Sequence, residues 1–477
     1  MADPVRISWE LHSSADLLTT WNVFSDTDRF NRVAELGFTF EEAPDESGEV
    51  ARVGHMRKLG MALSWDELPF QYSVPTWFRT RRMFHGGPAA EFTASLRLKA
   101  AAQGGTDILY AVEVVPRNAL TAPMVAIELK TQTRSQLDRA LGRLIADLNA
   151  RVQPADLAAP PLKPAAEALL VGVLSELDDD LADRLGGLLR GAPLREQDRL
   201  HPPRLAARWG LDVERVTEAM LQATRGGALA LHWEILCPSC QAPKAPIPRD
   251  LKPGSRVHCG SCGISYDAAF PDSQVACFRP SPALRDFQVP VSCIGSPARQ
   301  RHILADQELP AGGTLELELD LPAGAYRLRT WPMRGTASLD VHEGALATSL
   351  ELSADDNALD PPLLRAEPGL RRISIRSESS APLRVVLESR QRPVGMLTVG
   401  LLLQRHPKAA ELLPAGLLSD ELRTWRGVAV AVRSLTGESL LGKLGRARLT
   451  WASRQGTVAV FGSAAEALTD LLHLDRK

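Results

Sequence analysis

Apolar and polar positions alternate, pass into a helical period, and then alternate again, and this rhythm divides the chain. Residues 6–12 put Ile7, Trp9 and Leu11 on one face and Ser8 and Glu10 on the other, as a half-buried strand does. Two short helices are expected next, over 16–23 with Ser14 as the cap, and over 26–33. Strand patterns follow at 49–59, 76–84, 89–100 and 107–115. Residues 135–152 then carry Leu137, Leu141, Leu144, Ile145 and Leu148 in one stripe, which predicts a long amphipathic helix. Beyond a Pro-rich stretch, helical patterns run 164–177, 178–189, 203–210 and 212–225, closed by Gly226-Gly227, with a strand over 228–234. From residue 275 the period is two again. Strands are expected at 275–280 and at 314–321, where Leu315, Leu317 and Leu319 alternate with Glu316, Glu318 and Asp320. A turn at Pro322-Ala-Gly returns the chain as a strand over 325–331, and more strands follow at 338–342, 349–353, 371–376 and 383–388. Short strands bounded by Gly, Pro and Asp argue for a β-sandwich.

Composition refines this picture only slightly. A chain of 477 residues holds roughly three or four domains. A net charge of −2 and 44% apolar residues offer no general attraction to nucleic acid or anionic membrane. The opening Met1-Ala-Asp-Pro-Val-Arg6 lacks the basic start and apolar core of a secretory leader. The longest apolar run, 396–403, falls far short of the ~20 residues a spanning helix needs. A cytoplasmic protein without a membrane span is the expectation.

The sharpest chemical signal is Cys237-Pro-Ser-Cys240 followed, eighteen residues later, by Cys259-Gly-Ser-Cys262. Each pair offers two sulfurs to one tetrahedral zinc ion, and a short Pro/Ser or Gly/Ser turn aims both inward. Four thiolates close the coordination shell, so this zinc is expected to be structural, whereas a hydrolytic site keeps a position for water. A thioredoxin-type redox role would not explain two knuckles. Cys277 and Cys293 are expected to be buried thiols.

The order strand, two short helices, antiparallel strands and long closing helix, with the segment from Ser14 through Trp21 and Asp26 to Asn31, resembles the START/polyketide-cyclase-like (SRPBCC) superfamily. That resemblance implies a helix-grip fold, an apolar cavity and a hydrophobic or lipid-like ligand, with Trp65, Phe70, Trp77, Phe78, Phe84 and Phe92 as candidate lining; the same rings would serve equally as core filling. Residues 204–234 look like a winged helix, which raises a DNA-binding regulator with Arg204, Arg208 and Arg215 as its cations. Its second helix also carries Glu214 and Glu218, too little positive charge for phosphate contacts.

The segment from Leu231 through both knuckles to Pro282, and on to about residue 390, resembles an uncharacterised bacterial domain found between an SRPBCC module and a class III adenylate/guanylate cyclase domain. Residues 427–445 and 457–468 resemble the first strand, Gly turn and helix, and a later strand and helix, of such a cyclase. The two metal-binding carboxylates implied by that resemblance fall at Ser434 and near Gln455, which cannot replace them, and Glu438 stands alone as a substitute. Residues 446–455 are too few for the intervening helix and strand.

The reading is therefore a multidomain α+β protein. Its modules are an SRPBCC domain (1–152), a Pro-rich linker (153–164), a winged-helix-like segment (165–235), a zinc ribbon (236–272), a β-sandwich (273–392) and a degenerate, partly ferredoxin-like cyclase remnant (393–477). The expected role is non-catalytic sensing or scaffolding in signalling, with a structural zinc, a hydrophobic small molecule or lipid and a protein partner. A divergent nucleotide cyclase and a DNA-binding regulator are the alternatives.

Overall fold

The computed structural model describes residues 3–44, 50–58, 60–152, 158–237, 256–259, 264–267, 274–287, 289, 293, 296–331, 335–346, 349–390, 397–412, 428–432, 449–453, 456–461, 465, 467–468 and 471. The chain divides into two compact units: Met1–Asp156 with Pro290–Trp331 and Gly335–Gln391, and Leu157–Val289 with Pro332–Arg334 and Arg392–Lys477.

The first unit begins with β1 (Val5–Ser13), α1 (Leu17–Phe24) and α2 (Thr27–Val33). Asp16 rather than Ser14 caps α1, its carboxylate accepting the Thr19 N–H at 2.9 Å. The Ser14 hydroxyl is used elsewhere, donating to Asn149 Oδ1 at 3.2 Å. Strands β2 (Thr39–Pro44), β3 (Val50–Lys58), β4 (Met61–Glu67), β5 (Gln71–Ser73), β6 (Trp77–Phe84), β7 (Ala89–Ala100) and β8 (Thr106–Pro116) follow. They hydrogen-bond in the order β1-β8-β7-β6, with β4 and β5 sharing the far edge of β6 and β3 and β2 extending from β4. The closing helix is longer than its stripe predicts: α3 (Ala122–Glu128) and α4 (Arg134–Asn149) are joined by one π turn, Leu129–Thr133. Leu137, Leu141, Leu144 and Leu148 of α4 pack with Ile7, Leu96, Ile108 and Val112 of the sheet in one buried cluster.

The ladder does not stop at β5. Tyr72 and Ser73 pair with Asp306 and Ala305 of the strand Ile303–Leu309, and the sheet runs on through Leu383–Ser389, Gly324–Trp331, Thr336–Val341 and Leu363–Ala366. A four-stranded sheet, Thr314–Leu321, Gly369–Ser377, Glu351–Ala354 and Leu359–Asp360, shares a core with this extension, forming the β-sandwich. Leu317, Leu319 and Leu321 are buried as their alternation predicts. The expected hairpin across Pro322-Ala-Gly does not form, because Thr314–Leu321 pairs with Gly369–Ser377 while Gly324–Trp331 lies in the other sheet. Alternation determines which face is buried but carries no information about the partner strand.

At the join, charges are buried in pairs. Arg384 Nε donates to Asp306 Oδ1 at 2.6 Å, and Glu388 accepts from Arg327 Nε at 2.6 Å and from the fully buried Arg329 Nε at 3.2 Å. Burial pushes the Glu388 carboxyl up, but Arg329 and Arg327 together hold it below its ordinary value. Cys293 also enters the N-terminal core, its N–H donating to Asp28 Oδ1 at 2.9 Å and its sulfur accepting the Thr27 hydroxyl at 3.1 Å. Burial raises that thiol to about 12. Residues 1–152 and the sandwich, separate modules by sequence, thus share one unit.

In the second unit the helices Pro164–Leu174, Asp179–Gly191, Leu194–Asp198, Pro202–Trp209 and Val213–Arg225 precede the strand Leu229–Ile235. Gly210, at φ +68°, makes the turn between the last two helices, and Asp212 caps the second. The strand Gln274–Pro280, read from sequence as the start of the sandwich, instead pairs with Leu229–Ile235 in this unit. The paired strands Arg256–Cys259 and Ile264–Asp267 are therefore inserted between two strands that pair with each other. Ile264–Asp267 pairs in turn with Leu449–Ser453, giving a five-stranded sheet completed by Gly456–Phe461 and Val428–Val432. Residues 446–455 thus hold the strand Leu449–Ser453.

Two histidines of this unit fold as neutral rings. Burial lowers His201 from 6.5 to about 3, with the Arg204 charge adding to the effect, and lowers His232 to about 4. The unfolded chain takes up these protons first, so stability is intact above about pH 6.5 and is lost as pH falls toward the folded values. The thermal midpoint of this unit is expected to drop between pH 7 and pH 4. His201→Gln combined with His232→Gln should flatten that drop, as followed by circular dichroism.

Candidate functional site

Strand alternation sorts β6 into two rows. Phe78, Thr80, Arg82 and Phe84 share one row, and all four line a cavity of about 160 Å³ between the sheet and the helices α2, α3 and α4. Phe70 from the loop before β5 and Phe92 of β7 join the wall, as do Tyr110 of β8, Met124 of α3 and Leu129 of the π turn. Phe70, Phe78, Phe84 and Phe92 are thus in the expected place. Trp77 is not in the wall, because odd positions of β6 face the other way. Trp65 is fully buried but stands behind the wall, against Phe38 and Phe84. A cavity of ~150 Å³ is known to admit benzene, whereas sites for drug-sized ligands span roughly 300–1,000 Å³. The space suits one ring or a short branched chain rather than a long lipid tail.

One charged group belongs to this wall's aromatic end. The Arg82 guanidinium lies 4.4 Å from the Phe38 ring centre, 5.0 Å from that of Phe92 and 5.2 Å from that of Trp65. Its Nε donates to Glu67 Oε2 at 2.9 Å, and both side chains are almost fully buried. Glu67 Oε2 also accepts the Trp65 indole N–H at 2.8 Å, and Oε1 accepts the Thr80 hydroxyl at 3.0 Å. Three donors converge on one carboxylate, which offsets the cost of burying it. The indole lies against Gly54 of β3, where an added Cβ would come within 2.2 Å of the ring. At the other end of the wall Lys58 pairs with Glu128 at 2.5 Å and donates to Thr133 at 3.0 Å, tying β3 to the helix at its π turn.

Sequence reading did not find Arg82, Glu67 or Gly54. The parity that placed Phe78 and Phe84 inward also places Arg82 inward, and a glycine inside a strand marks close approach. Those were the available signals.

The remaining candidates lie elsewhere. Cys237 is fully buried just past the strand Leu229–Ile235, and Cys259 ends the strand Arg256–Cys259 in register with Ile264. Cys240 and Cys262 lie outside the described residues, as do Ser434, Glu438 and Gln455. Arg208 and Arg215 are paired with Glu196 and Asp178 at 2.9 and 2.7 Å, which reduces the positive charge that this helix pair presents. Among the described residues no helix is long and apolar enough to cross a membrane.

A family of unknown function (DUF5939) matches residues 165–290. No curated protein matches the chain in sequence. Among solved structures, the Zhui aromatase/cyclase from Streptomyces sp. R1128 is 13% identical, with 31% of this chain and 98% of that one covered and a TM-score of 0.25. A START superfamily protein from Mycobacterium smegmatis is 16% identical, covering 30% and 98% at a TM-score of 0.24. Truncated norcoclaurine synthase from Thalictrum flavum is 12% identical, covering 30% and 96% at 0.24.

The Gly54 contact yields a direct test. Gly54→Ala should force the Trp65 indole from its seat and destabilise the first unit by about 1–3 kcal/mol, measured by urea unfolding.

Proposed function

We propose that this protein is a non-catalytic sensor or scaffold whose N-terminal, START/polyketide-cyclase-like domain holds a small hydrophobic molecule. The observation that carries this reading is the largely apolar cavity of about 160 Å³ lined by β6, β7, β8 and the closing helix. A binding role fits its chemistry better than a catalytic one: Glu67, the carboxylate nearest the wall's arginine, already accepts from three protein donors. The rest of the chain would then present surfaces to a protein partner. The tail's strand order, Leu449–Ser453, Gly456–Phe461, Val428–Val432, agrees with the start of a ferredoxin-like sheet and supports a cyclase-derived remnant.

Cys237, Cys240, Cys259 and Cys262 would hold a structural zinc ion. Two observations favour it: the strands Arg256–Cys259 and Ile264–Asp267 pair as a hairpin across the second knuckle, and Cys237 is buried at the end of its own strand. Zinc bound there would staple a hairpin too short to be stable alone.

Titration of the full-length protein with fluorobenzene, followed by fluorine NMR, should show saturable one-to-one binding. Filling the cavity with Ala94→Phe should abolish it. Absence of saturation in the unaltered protein would reduce the cavity to a packing void. Native mass spectrometry should detect one zinc per chain, and Cys259→Ser should remove it and the amide protection of residues 256–267 while leaving fluorobenzene binding unchanged.

A further inference from the structure

We propose that the cavity ligand is an acid, and that Arg82 binds its carboxylate through the two Nη groups; this rests on the binding role proposed above. Among the described residues two cations line the wall, Arg82 and Lys58, and Lys58 is already committed to Glu128 and Thr133. Arg82 is not committed in the same way. Its recorded hydrogen bond to the protein is made by Nε alone, which leaves the planar Nη1–Nη2 edge without a protein acceptor among the described residues. Arg82 lines the cavity and keeps 6% of its surface accessible, so an acceptor lying in the cavity can reach this edge.

The surroundings select the kind of acceptor. A guanidinium edge matches a carboxylate's two oxygens geometrically, with two parallel hydrogen bonds. Glu67 does not repel such a guest strongly, since its own charge is balanced by Arg82 Nε, the Trp65 N–H and the Thr80 hydroxyl. Phe38, Phe92 and Trp65 surround the guanidinium with apolar surface, and a low local dielectric strengthens a charge-assisted bond. Most of the remaining wall is apolar, and its carboxylate Glu128 is paired with Lys58, so the guest is a carboxylate on one ring or a short branched chain.

The test compares benzoate with nitrobenzene, an uncharged molecule of nearly the same shape, by NMR titration of the full-length protein at pH 7. Benzoate should bind roughly tenfold to a hundredfold more tightly. Arg82→Met alone would strand Glu67, so the variant joins it with Glu67→Gln, which keeps an acceptor for Trp65 and Thr80. That double variant should retain nitrobenzene binding and lose the preference for benzoate. Arg82→Lys should recover only part of it, because an ammonium has no fork. Equal binding of both probes by the unaltered protein would overturn Arg82 as an anchor and leave the apolar cavity standing. Binding of neither would overturn the cavity reading and this inference together.

Discussion

A guanidinium does not enter an apolar wall alone. Removing an ion from water costs several kcal/mol even after the protein relaxes, and only a carboxylate with well-placed donors offsets it. In the first unit this constraint is met by Glu67, which accepts from Arg82, Trp65 and Thr80 at once. The placement of three strands follows from it: β4 supplies Trp65 and Glu67, β6 supplies Thr80 and Arg82, and β3 supplies the side-chain-free Gly54 that lets the indole lie flat. The same solution recurs where the sandwich begins, with Asp306 facing Arg384 and Glu388 facing Arg327 and Arg329. Both charge clusters lie on one continuous sheet, and both are made by cross-strand neighbours whose registers must hold for the pairs to form.

Local periodicity made much of the first domain legible. The strands β1, β6, β7 and β8 and the helices α1, α2 and α4 sit close to where alternation and the leucine stripe predict them. What escaped was short or non-local. β5 has three residues, too few to alternate, and β2 and β4 are read only once their partners are known. The π turn widens a helix without altering its composition. Within the site, four aromatic lining residues were visible by type, whereas Arg82 was not, because a charge in a strand reads as solvent-facing until its cross-strand carboxylate partner, Glu67, is found.

The linear order of modules was the least reliable guide to assembly. Cysteine spacing marks the two knuckles, yet nothing local says that Leu229–Ile235 waits some forty residues for Gln274–Pro280, or that Ile264–Asp267 is joined by Leu449–Ser453. Such pairings depend on which edges remain after the local hairpins have closed. A turn sequence such as Pro322-Ala-Gly shows where the chain bends and is silent on whether the next strand returns to the same sheet.

The three residues of β5 have a mechanical consequence. With one edge on β6 and the other on Ile303–Leu309, they make the backbone ladder unbroken from β1 to Leu363–Ala366. Along this path the strands are joined by backbone hydrogen bonds rather than by a tether. Strain raised by an occupant of the cavity would therefore travel to the sandwich as twist in a single stiff sheet.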